Sequence, residues 1–204
     1  MALLIIRIQL ACLSLFGEPI VKRIFLTLAT ITLLLLGLAI VLGLNVGDAR
    51  SLDPQVQRQI STHMLTGLAA LTFATLVHAI RFTYFMGTGR WIEETSKAYS
   101  LPESYFERNQ KLKYGMLPGV TISMILLITT GALGAVADPA TPMSLDGTMG
   151  LTGAQIHLTV AALTVLVNLV TNFTQYIAIA GNSRVVDDVL ADVHRIREER
   201  GLPV

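Results

Sequence analysis

Charge is what this sequence of 204 residues has least of: Asp, Glu, Lys and Arg make up 14% of it, against about 25% in an average globular chain. A single cysteine excludes a disulfide scaffold. A hydrophobic content of 52% excludes a disordered chain and an ordinary cytosolic enzyme. Fifteen basic residues offset fourteen acidic ones, so no global charge points to nucleic acid. The deficit is concentrated in four runs, 24–44, 61–85, 116–137 and 151–180, none of which contains Asp or Glu. A bilayer core of about 30 Å takes about 20 apolar residues as a helix. Leu-rich runs that do not alternate argue against a barrel. The composition describes an all-α integral membrane protein with a four-helix bundle spanning 21–180.

The basic residues predict an orientation. Arg7, Lys22 and Arg23 precede the first run. Arg81, Arg90, Lys97, Arg108, Lys111 and Lys113 flank or occupy the connection 86–115, and Arg184, Arg195, Arg197 and Arg200 follow the last run. The other side has only Arg50 and Arg58. Both termini are expected in the cytoplasm, with the chain multi-pass in the cell (inner) membrane. Segment 1–20 is apolar but broken by Arg7 and lacks a small-residue cleavage site. It reads as an interfacial cytoplasmic helix. In 181–204, Val185, Val189, Val193 and Ile196 fall on one face, which predicts an amphipathic cytoplasmic helix. Pro102 is expected to open a second short helix within the charged connection.

The two halves read as copies of one unit. Residues 30–36 (TITLLLL) match 121–127 (TISMILL), and Leu42-Gly43 matches Leu133-Gly134, both at an offset of 91. Residues 87–94 (GTGRWIEE) match 181–188 (GNSRVVDD) at an offset of 94. Gly, Arg, two apolar and two acidic residues recur in order, which low complexity does not explain. Two repeated helical hairpins, related by a pseudo-twofold axis along the membrane normal, are the expected arrangement.

At the offset of 94, His63 falls on His157. An ionisable residue inside an apolar span is a functional candidate. Both histidines should lie at similar depth near the outer face, pointing at the axis. Two facing imidazoles are what axial ligation of one haem b requires. Gly67, Ala70 and Ala74 continue the face of His63 and would leave room for a flat macrocycle, as would Ala161 beyond His157. Arg58 and Arg50 lie where they would pair with propionates. The rival reading is interfacial histidines on closely packed helices.

His78 lies about 22 Å further along the second span and about 60° around it. Through His63, His78 and His157 the chain resembles membrane b-type cytochromes, including dihaem cytochrome b and b561-like groups. That resemblance implies electron transfer, quinone chemistry and a place in an oxidoreductase complex. The counterpart of His78 is Asn172, a poor iron ligand, so one chain is expected to build one bis-His haem. Asn168, Asn172 and Gln175 form a polar stripe facing Arg81. It reads as interhelical hydrogen bonding, or else with His78 as a quinone headgroup pocket or a five-coordinate second haem. The expected partners are the bilayer, other subunits of a membrane complex or a second copy, and quinone. A haem-free structural or assembly subunit is the alternative function. A small transporter built from repeats is disfavoured by the carboxylate-free spans.

Overall fold

The computed structural model describes residues 18–203, and all regular structure among them is helical. Four long helices, α1 (Glu18–Leu44), α2 (Pro54–Tyr99), α3 (Ser104–Ala137) and α4 (Gly153–Glu199), are joined by a tight turn between α2 and α3 and by longer connections elsewhere, the last holding a 3-10 helix at Thr148–Gly150. Each is long and apolar enough to cross a membrane. The chain is accordingly suited to multi-pass insertion, and its apolar helices to contact with lipid. The expected interfacial segment lies, up to residue 17, outside the described residues, and with it Arg7 and Cys12.

The helix ends follow from local chemistry. Asp53 precedes Pro54 and accepts from the Gln55 amide at 2.7 Å, so the proline sits where its missing N–H costs nothing. Thr152 and Gln155 cap α4 reciprocally: the Gln155 amide donates to Thr152 Oγ1 at 3.2 Å and the Thr152 amide to Gln155 Oε1 at 2.9 Å. α2 ends where Ser100 turns to φ 56° and the Leu101 amide returns to the Ser96 carbonyl at 2.9 Å. Gly201, at φ 63°, ends α4 in the same way, with the Leu202 amide on the Arg197 carbonyl.

The charged segments are helical, and they run on from the apolar spans without a break. The connection predicted over 86–115 is largely helix: α2 continues to Tyr99 and α3 begins at Ser104, just after Pro102. The C-terminal amphipathic helix is the direct continuation of α4. α2, with 46 residues, is about 69 Å long, more than twice an apolar core.

The chain divides into two units. One comprises Leu28–Ala79 and Pro118–Asn172. Its centre is Leu36, Ala70, Ala74 and Leu127, with Leu71, Met124 and Val165 packed against them. Its hydroxyls bond inside the helices: Thr32 to the Leu28 carbonyl, Thr130 to Leu126 and Thr164 to Val160, each at 2.8 Å. Between helices, Thr130 and Thr164 meet at 2.6 Å, one of them donating to the other in place of its own carbonyl, and Ser123 donates to Thr171 at 2.9 Å. Such pairs hold helices together where hydrophobic burial offers little driving force.

The other unit comprises the described residues up to Thr27, Ile80–Leu117 and those from Phe173 onward. Trp91, Ile92, Tyr99, Val185, Val186, Val189 and Val193 form its core. The valine stripe expected from the sequence is therefore the buried face of α4, with Ile196 packed on its margin. Arg108 and Asp188 pair at 2.8 Å on the surface of this core.

Candidate functional site

His63 on α2 and His157 on α4 come together as the spacing predicted. Their ring centroids are 6.1 Å apart, with planes inclined at 72°. His63 Nδ1 lies 2.9 Å from the Ala39 carbonyl of α1, so in the matching tautomer it donates there and leaves Nε2 free. His157 Nδ1 is buried and makes no hydrogen bond among the described residues. The backbone of Thr130 is its neighbour, and Thr130 follows Ala39 at the offset of 91.

Each ring rests on a glycine of the preceding helix. A Cβ on Gly43 would stand 2.8 Å from His63 Cε1, and one on Gly134 3.1 Å from His157 Cε1. Only a residue without a side chain lets the imidazole approach the α1 or α3 backbone so closely. Sequence reasoning did not place these glycines in the site. The signal was present, because Gly43 and Gly134 are themselves matched at the offset of 91.

Two imidazoles bound to one metal ion through bonds of about 2 Å hold their ring centroids about 6 Å apart. The observed separation matches, and one ring already has the outer hydrogen bond that metal-bound histidines make. The centroid separation is compatible with two imidazoles sharing one ion. The remaining candidates divide. Gly67 is open, with nothing within 4 Å of where a Cβ would stand. Ala70 and Ala74 are fully buried against Leu36 and Leu127, so they serve helix packing here. Arg50 pairs with Asp146 at 3.6 Å, both largely exposed, and Arg58 is exposed. Among the described residues no group of three or more His, Cys, Asp or Glu is placed to hold a metal ion.

The other polar residues are engaged in hydrogen bonds. His78, 2% exposed, has Nε2 at 3.0 Å from Asn168 Oδ1, and the Asn168 amide donates to the Thr164 carbonyl at 2.9 Å. Asn168 lies one turn before Asn172, which matches His78 at the offset of 94 and is buried. In the second unit, Arg81, 1% exposed, donates to Gln175 Oε1 and, at 3.3 Å, to the Phe25 carbonyl, with its guanidinium 5.9 Å from the Phe25 ring centroid. Planar delocalised charge tolerates such neutral company better than an ammonium. The expected opposition of Arg81 to the amide stripe is realised at Gln175. Compared with protein-family models, curated proteins and solved structures, the chain matches none.

Proposed function

We propose that the chain is a membrane cytochrome b-type subunit that holds one haem b between His63 and His157 and transfers electrons within a larger complex. One observation supports this reading: two histidines at matched positions stand with ring centroids 6.1 Å apart, each seated on a matched glycine. Haem, when bound, supplies one-electron oxidation and reduction. The chain's own residues supply the rest. Ala39 fixes the orientation of the His63 ring through Nδ1. Arg58 and Arg50 offer charge to propionates, Arg50 by giving up its exposed contact with Asp146.

The repeat belongs to the same proposal. Three pairs separated by 94 residues meet their own counterparts: His63 with His157, Arg81 with Gln175, and the Asn182 amide with Thr88 Oγ1 at 2.9 Å. Contact between counterparts is the mark of positions on a twofold axis. The basic-residue bias supports cytoplasmic termini in an inner membrane. His78, Arg81, Asn168, Asn172 and Gln175 are hydrogen-bonding residues of the bundle in this reading, and quinone or a partner redox protein delivers the electron. The close packing of Ala70 and Ala74 favours a second reading, a haem-free structural or assembly subunit.

Pyridine haemochrome on the purified protein decides between them. Wild type should carry one haem per chain. His63→Ala and His157→Ala should each lose it, Gly43→Leu should lose most of it by displacing the ring, and His78→Ala should retain it. A colourless wild type, or full retention in both ligand variants, selects the structural subunit.

A further inference from the structure

In the second unit a groove of about 390 Å³ opens between the end of α2 and the start of α3. Arg90, Glu93, Glu94 and Lys97 face it from α2, and Gln110 and Lys113 from α3. Four of these charges cancel within one helix: Arg90 pairs with Glu94 at 2.8 Å and Lys97 with Glu93 at 2.6 Å. Lys113 is different. It is 8% exposed, its ammonium stands 4.7 Å from the Tyr114 ring centroid, and among the described residues no carboxylate lies within ion-pair distance of it. Beside it in the groove, Gln110 Oε1 is buried with no hydrogen-bond partner among the described residues. A nearly buried cation and a stranded acceptor each call for a partner.

The level of the groove narrows the choice. Met86, which lines it, directly follows the apolar run 61–85, and Lys113 shortly precedes the run 116–137. That boundary is the depth of lipid headgroups, where basic pockets between helices take anionic lipids. Met86 and Phe106 give the groove an apolar side suited to the glycerol and first acyl carbons. We propose that this groove binds the headgroup of an anionic glycerophospholipid that has a free hydroxyl. The phosphodiester meets the Lys113 ammonium, and the hydroxyl donates to Gln110 Oε1. Phosphatidylglycerol has both features.

The test is native mass spectrometry of the full chain in detergent, titrated with phosphatidylglycerol, with phosphatidylcholine and with inorganic phosphate. Wild type should bind phosphatidylglycerol at least tenfold more tightly than phosphatidylcholine, with no displacement by millimolar phosphate. Lys113→Met should abolish the preference, Gln110→Ala should weaken it about threefold, and Lys111→Met, at an exposed position, should leave it intact. Equal binding of the two lipids by wild type, or an unchanged preference in Lys113→Met, overturns the assignment. Displacement by free phosphate also overturns it, in favour of a small-anion site. If Lys113→Met does not fold, the wild-type preference and the Gln110→Ala titration decide.

Discussion

Tyr105 donates its hydroxyl to Asp192 at 2.7 Å, and Arg195 donates to the same carboxylate at 3.0 Å. The Tyr105 hydrogen bond first, then that of Arg195, holds the Asp192 carboxyl below its usual value, and the same contact with Asp192 raises the Tyr105 phenol. A carboxyl depressed by folding stabilises the protein above its unfolded value, and that contribution is lost as pH falls through the folded one. Tyr105→Phe should therefore be less stable than wild type at pH 7, with the gap closing below about pH 4. Thermal unfolding in detergent across a pH series checks this, and a gap independent of pH would refute it. The Asn168 contact of His78 shows how residue detail escapes sequence matching. An offset of 94 selects Asn172, whereas His78 hydrogen-bonds Asn168, one turn earlier.

The elements are capped by chemistry that can be removed one atom at a time. Thr152→Ala deletes the hydroxyl that accepts from the Gln155 amide and should cost about 1 kcal/mol. Chemical or thermal unfolding of the detergent-solubilised variant measures it, and an unchanged midpoint would show that α4 does not depend on its cap. Much of the element structure was legible. The four runs are the apolar centres of α1 to α4, and Val185, Val189 and Val193 declared a buried face. The helix ends were not, because hydropathy falls where charges begin, whereas the backbone ladder continues through them. A closer signal lay in Arg90 with Glu94 and Glu93 with Lys97, i,i+4 pairs that support a helix in water. The histidine pair was legible from its spacing, while the glycines beneath it required knowing that the rings would rest on the backbone.

For the molecule as a whole, the basic residues predict which ends face the cytoplasm. In a Cys12→Ser background, a cysteine at Ser144, exposed in the α3–α4 connection, should react with an impermeant reagent added to intact cells. One at Ala98, exposed near the end of α2, should react only after lysis. The opposite pattern would invert the orientation and with it the outer-face position proposed for a haem. The hydroxyls of the spans bear on how the chain enters a membrane in the first place. Thr32, Thr129 and Thr159 each donate to the carbonyl four residues before them, as does whichever of Thr130 and Thr164 accepts the bond between them. A donor satisfied within its own helix needs no neighbouring helix to make hydrocarbon tolerable. Each span can thus partition from the translocon singly, as it emerges from the ribosome, and its threonines weigh against insertion less than their polarity suggests.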